Sequence, residues 1–312
     1  MIHKEDTALT SGSVLAGLKV AVIGGDAREF EIIRLMRAEG MEVRATGLPV
    51  GGETALGRDQ ERSVSEATDG ARAVLCPIPG LGMDDSIYAP KWPERIHVRP
   101  ADLARCAPPA VVVMGTASPT FREMVVRAGL ALREYEQDDE LMILRSRAIA
   151  EGAIKVAIEN TDVTLHRTRS LLLGFGRVSV TLCEVLLALG AEVTVAARNP
   201  VQLARAWEMG AEPLPLSELP QAIGSARIIW NTIPVRVLGE TLLAKTAPDA
   251  VIIDLSAPPG GVDHEKARAL GRSVVWARGL GSRAPVTVGR SQWKGIRRIL
   301  VEELAVSDSR TS

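Results

Sequence analysis

Residues suited to chemistry gather where apolar runs end in glycine. Leu171–Leu173 reads as a buried strand, Gly174-Phe175-Gly176-Arg177-Val178 follows, and an apolar helix pattern then runs to Leu189. Such a turn suits a pyrophosphate. Gly174 permits the tight bend, Gly176 lets phosphate approach the backbone, and the first-turn amides of the helix meet the charge. Ser179 stands where the third glycine of G-x-G-x-x-G falls, and serine is small enough for close helix–strand contact. The next strand ends in Ala197-Arg198-Asn199, with no acidic residue to hold ribose hydroxyls. Arg198 offers a planar fork for a 2′-phosphate, so NADP is favoured over NAD, which stays open as the alternative. Asn231-Thr232-Ile233-Pro234, after a strand at Ala226–Trp230, adds Asn231, Thr232 and Pro234 to the cofactor rim.

A second set points to the substrate. Asp26, Arg28, Arg278 and Arg283 lie in glycine-rich segments, where a guanidinium suits bidentate capture of a carboxylate. Together they favour a small anion. Asp26 has an equally good reading as the cap of the first helix, and Asp263 as the cap of a later one. His264 follows the Pro258–Gly261 loop near the carboxyl ends of the strands, whereas His166 precedes its strand and lies at the wrong end. No H-E-x-x-H or Cys/His cluster supports a metal, no Ser–His–Asp arrangement emerges, and no histidine–carboxylate pair is visible.

The whole chain frames these residues. Its 312 residues are enough for two domains, and 46% apolar with 24% charged residues suit a globular enzyme. Aromatics are only 3%, so the cores must rely on Leu, Val, Ile and Ala. A formal charge of -1 gives no footprint for nucleic acid. Cys76, Cys106 and Cys183 make neither a disulfide framework nor a metal cluster, which suits a reducing, cytoplasmic setting. No signal peptide and no membrane-length apolar run is visible.

The positioning elements follow from periodicity. Leu18–Ile23 is a strand, Gly24-Gly25-Asp26 a turn, and about 28–39 a helix with Phe30, Ile33, Leu35 and Met36 inward. Gly47–Thr68 reads as loop, Ala73–Pro77 as strand, and Leu81–Ile96 as a flap or edge decoration. The fold class is α/β, with two doubly wound parallel-sheet domains around a cleft, the second a Rossmann domain. A substrate-side domain covers 1–143, frayed over 1–16. The nucleotide domain covers 144–287, entered through a connector helix at 140–159. A helix at Val288–Leu304, within a last segment 288–312, is expected to pack back on the first domain, and Ala305–Ser312 to be a polar tail.

Several stretches carry a family resemblance. LKVAVIGGDARE at Leu18–Glu29, AIENTDVTLH at Ala157–His166, LLLGFGR at Leu171–Arg177, VAAR at Val195–Arg198, NTIP at Asn231–Pro234, IIDLSAPPGGVD at Ile252–Asp263 and the Gly279–Thr287 loop together resemble the dipicolinate synthase A-subunit family. The likeness spans about Leu18 to Leu304. Ser179 and the basic run Arg167-Thr168-Arg169 depart from it. The resemblance implies NAD(P)-dependent oxidation of a dihydrodipicolinate-level intermediate, or its hydroxylated tetrahydro precursor, to pyridine-2,6-dicarboxylate during spore formation. It implies the cytoplasm of a mother cell and a second, flavoprotein-like subunit. Catalytic residues do not carry over. On that substrate, Arg28 and Arg278 are the expected carboxylate clamps, and Asp26 or His264 the proton acceptor.

The alternatives are another dehydrogenase of this architecture acting on an amino or hydroxy acid, and a non-catalytic nucleotide-binding scaffold. A histidine–carboxylate pair on facing cleft loops would favour the first. A crevice blocked around Ser179 would favour the second. The last helix could dock within the chain or across a homo-oligomer.

Overall fold

The computed structural model describes residues 13–49, 60–61, 63–82 and 84–311. Residues 1–12 of the expected frayed tail, and 50–59 with 62 of the expected loop at 47–68, lie outside them. The backbone divides into two compact units. One takes the chain up to Leu144 together with Ala284 onward, and the other is Arg145–Arg283.

The first unit runs β1 (Lys19–Ile23), α1 (Ala27–Ala38), β2 (Glu42–Thr46), α2 (Val64–Thr68), β3 (Ala73–Leu75), α3 (Pro100–Leu103), β4 (Val111–Met114), α4 (Pro119–Arg127) and β5 (Ala131–Glu134). All pairs are parallel, in the order β2-β1-β3-β4-β5. Period-two alternation feeds both faces. Val20 and Val22 join Ile32, Ile33 and Met36 on one side, while Ala21 and Ile23 join Val112 and Met114 on the other. The expected loop at 47–68 ends instead in α2. Ser63 caps it by accepting from Glu66 N at 3.2 Å, and Thr68 Oγ1 donates to the Asp102 carbonyl at 2.8 Å. Turn-forming composition hides a helix that a cap and one buried hydroxyl secure.

A helix, α5 (Asp139–Asn160), carries the chain into the second unit. There β6 (Arg169–Leu173), α6 (Arg177–Ala188), β7 (Glu192–Ala197), α7 (Pro200–Glu208), β8 (Glu212–Pro215), α8 (Leu219–Ala222), β9 (Ile228–Asn231), α9 (Glu240–Leu243), β10 (Val251–Asp254), α10 (His264–Ala269) and β11 (Ser273–Trp276) follow. The parallel order is β11-β10-β9-β6-β7-β8, which reverses between β6 and β9 and is the Rossmann order. Leu172 and Trp230 face one core, Leu171, Leu173 and Ile229 the other.

The last helix, α11 (Pro285–Thr311), belongs to the first unit, where Trp293, Ile296, Ile299 and Leu300 complete the core over α1. Polar ties fix its rotation. Trp293 Nε1 donates to Glu39 at 3.2 Å, Arg297 Nε to the same carboxylate at 3.0 Å, and Arg290 Nε to Glu31 at 2.8 Å. The polar tail expected at Ala305–Ser312 is helical backbone as far as Thr311. Among the described residues no helix is long and apolar enough to cross a membrane.

Candidate active site

Parallel sheets bind ligands beyond the carboxyl ends of their strands, at the point where strand order reverses. In the second unit Leu173, Asn231, Asp254 and Trp276 form the last rung across β6, β9, β10 and β11. The candidate site stands on that rung.

Beyond Leu173 the backbone turns at Gly174 with φ +87°. A Cβ there would lie 2.8 Å from Ile233 Cγ1 and 2.9 Å from Thr232 Oγ1, so only glycine fits. Gly176 is the N-cap of α6 and supplies no side-chain acceptor. A Cβ on Gly176 would meet nothing within 4 Å, so the space before the helix is open. The first turn of this 12-residue helix thus has no side-chain cap, and its amides are of the kind that suits the pyrophosphate of a dinucleotide. Phe175 is buried beneath the turn, Arg177 is exposed and Val178 half-buried.

Ser179, at the place of the third glycine, is fully buried. Its hydroxyl lies 2.6 Å from Thr232 Oγ1, and Thr232 in turn donates to the Leu173 carbonyl at 2.9 Å. Thr232 has one hydroxyl proton, so Ser179 is the donor between the two. This serine clips α6 to the loop after β9 and leaves the turn before α6 open. Arg198 is exposed just past β7. Asn199 accepts from Val201 N at 2.8 Å and caps α7, and Pro234 is exposed on the loop after β9.

Asn231 has a different place from the cofactor rim expected of it. Its fully buried amide donates to Asp254 Oδ1 at 2.9 Å and to the Ile233 carbonyl at 3.1 Å, and its oxygen accepts from Ile233 N at 3.2 Å. Asp254, also fully buried, accepts in addition from Ser256 N and Oγ and from Gly261 N, and its Oδ2 lies 3.2 Å from His264 Nε2. Burial by itself would raise the pKa of this carboxyl. The donors from Ser256, Asn231 and His264 outweigh it and hold Asp254 below the usual carboxylate range. The His264 ring stacks on Trp276 with centroids 5.2 Å apart, and Arg278 Cζ sits 5.2 Å from the indole centroid. Trp276 Nε1 is tied to the Ser256 carbonyl at 3.1 Å. A histidine backed by a carboxylate and a cation beside it thus share one edge of the sheet. Asp263 caps α10 by accepting from Lys266 N.

Sequence reasoning gave no histidine–carboxylate pair, and the structure has one in His264–Asp254. The partners stand ten positions apart across a Gly-Pro loop, so no spacing rule joins them. The available signal was the acidic end of an apolar parallel strand, Val251–Asp254. Ser256 and Trp276 were missed for the same reason.

Asp26 and Arg28 are brought together with each other. Asp26 Oδ1 accepts from Arg28 Nε and Oδ2 from Arg28 Nη2, both at 2.8 Å, and both residues are buried. Asp26 also caps α1 through Arg28 N at 3.1 Å, and Glu29 Oε2 accepts from Asp26 N at 2.6 Å to close a capping box. Burial pushes the Glu29 carboxyl up to about 7, with Arg28 opposing the rise. The segment read as a flap packs over this turn. A Cβ on Gly24 would lie 2.5 Å from Ile87, and Gly25 N donates to the Tyr88 carbonyl at 2.7 Å. Arg283 pairs with Glu151 at 3.2 Å. A cavity of about 490 Å³ among Arg169, Glu192, Trp207 and Glu212 lies at the amino ends of β6–β8, away from the rung described above. Among the described residues no group of three or more His, Cys, Asp or Glu could hold a metal ion.

Comparison with known proteins agrees with the two sheet orders. Residues 19–136 match the model of the N-terminal domain of the dipicolinate synthase A-subunit. The dipicolinate synthase A-subunit of Bacillus subtilis is 31% identical over 293 residues, covering 93% of this chain and 98% of the relative. The crystal structure of the dipicolinate synthase A-subunit from Bacillus halodurans superposes with a TM-score of 0.85 at 30% identity, covering 92% and 99% of the two chains. A transhydrogenase from Sinorhizobium meliloti shares the fold with a TM-score of 0.65 at 15% identity, covering 92% and 94%. With that identity over nearly its whole length, the chain belongs to the dipicolinate synthase A-subunit family.

Proposed function

We propose that the protein is the dehydrogenase component of a dipicolinate synthase. Its substrate is a dihydrodipicolinate-level intermediate, formed from a 4-hydroxy-tetrahydro precursor by loss of water, and its product is pyridine-2,6-dicarboxylate. Family membership supplies the substrate class. One structural observation carries the chemistry: His264, backed by Asp254, stands with Arg278 on the same sheet edge as the uncapped turn of α6.

A nicotinamide dinucleotide, when bound, supplies the hydride acceptor for the ring oxidation. The chain's own residues do the rest. Backbone amides at Gly176–Val178 hold the pyrophosphate, and Arg198 holds the 2′-phosphate of NADP. Arg278 pairs with a substrate carboxylate, its guanidinium kept in place over Trp276. His264 takes the proton that leaves as the ring becomes aromatic, so that oxidation removes one hydride and one proton. Asp26 and Arg28 neutralise each other and are assigned to the fold of the first unit. The lettered designation of the relatives supports a partner subunit. That the partner is flavoprotein-like, and that the pair works in the cytoplasm of a spore-forming mother cell, is assigned from the sequence resemblance alone.

A second reading, oxidation of a small hydroxy or amino acid, draws on the His264–Asp254 pair alone. One experiment separates the two. The substrate is generated in situ by the lysine-pathway condensing enzyme, and reduced cofactor and pyridine product are followed with NADP or NAD, with and without the partner. Product with NADP preferred is expected, and Arg198→Ala should cost roughly tenfold or more in NADP affinity while sparing NAD. Cofactor binding without any product would move the assignment to the hydroxy or amino acid reading.

A further inference from the structure

We infer that Asp254 is a positioning residue that holds His264 as the Nε2–H tautomer and so presents Nδ1 as the proton-accepting atom. The inference rests on the reading of His264 as the base. Its ground is a count of donors. Oδ1 of Asp254 accepts from Asn231 Nδ2 at 2.9 Å and from Ser256 N and Oγ at 3.1 and 2.6 Å. Oδ2 accepts from Gly261 N at 3.2 Å and lies 3.2 Å from His264 Nε2.

Two of these donors are backbone amides that cannot reverse their role. The Asn231 amide cannot flip either, because its oxygen already accepts from Ile233 N. A carboxylate ringed in this way is acceptor-only, so the proton between it and the imidazole belongs to Nε2. A neutral imidazole carries a single N–H, which leaves the lone pair on Nδ1. Nδ1 makes no hydrogen bond to any described residue, and the side chain is 16% exposed although Asp254 is at 0%. Trp276, tied to the Ser256 carbonyl, fixes the plane of the imidazole by stacking. After proton uptake the imidazolium faces the buried carboxylate and is stabilised by it.

The test is a ¹H–¹⁵N correlation of the imidazole rings in the full-length protein, at a pH where His264 is neutral. The sequence has four histidines, and the His264 signal is identified by its loss in His264→Gln. A protonated Nε2 and unprotonated Nδ1 are expected in the wild type, and Ser256→Ala, which keeps the carboxylate, should keep that tautomer. Asp254→Asn should mix or invert it and lower kcat by roughly 100-fold or more, with the KM for cofactor within about twofold. A wild-type ring protonated at Nδ1 would overturn the inference without need of any variant. So would Asp254→Asn with tautomer and kcat unchanged. The functional reading fails separately, if His264→Gln turns over at the wild-type rate whatever the tautomer.

Discussion

The two units begin alike, as strand, glycine turn, helix and parallel strand, and they treat the start of the helix in opposite ways. Before α1 the chain supplies its own acceptors: Asp26 caps, Glu29 closes the box, Arg28 balances the charge of Asp26, and Ile87 and Tyr88 cover the turn. Before α6 it supplies none. Gly176 has no acceptor to offer, and the space beside its Cα is open. A helix start carries the same unsatisfied amides and the same partial positive charge in both places. The difference lies in whether a side chain of the chain itself satisfies them. One turn is spent on the fold, and the other is left without a side-chain cap.

The contrast can be broken from either side. The largest effect is expected for Asp26→Ala, which removes a helix cap and leaves Arg28 buried without its partner. About 3–5 kcal/mol of stability should be lost in urea unfolding. A loss below about 1 kcal/mol would mean that the pair does not seal the turn. Glu29→Gln is next. The folded carboxyl titrates at about 7, above its ordinary 4.5, so between those values the folded state keeps a proton that the unfolded chain has released. Stability must therefore fall as pH rises through that window, by about 3 kcal/mol in total. The Gln variant keeps an acceptor for Asp26 N and should flatten the slope measured between about pH 5 and pH 8. A slope unchanged by the substitution would assign the dependence to another group. Gly176→Asp carries the solution used by the first unit into the second. Dinucleotide affinity, read by titration calorimetry, should drop on the order of 100-fold, while the melting temperature holds or rises, since aspartate caps slightly better than glycine. Wild-type affinity in that variant would show that phosphate does not sit at α6.

Much of this contrast can be read from sequence. Leu171–Leu173 before Gly174 places the open turn, and an aspartate before a helix pattern already reads as a cap at Asp26. What stays hidden depends on side chains folding back. Asp26 is extended at φ -130°, which lets its carboxylate meet Arg28 two residues later, a spacing that does not face itself along a helix. Ile87 and Ile96 sit in a segment broken by Pro90 and Pro93 that shows no sustained period, yet they cover Gly24 and Gly47. The Asp254 hub unites three strand ends and a loop, and only the parallel register puts Asn231 and Trp276 on either side of it. Local pattern reports elements, whereas a hub made by register is invisible until the strands are ordered.

The return of α11 to the first unit sets an order of assembly on the growing chain. Trp293 meets Glu39 across 254 positions of sequence, so the core over Ile32, Ile33 and Met36 stays uncovered through the synthesis of everything between. Arg145–Arg283 is continuous and can finish its own sheet first. The unit translated first is thus the last to close, and a nascent chain halted before α11 presents the ribosome-side machinery with a greasy, half-built layer.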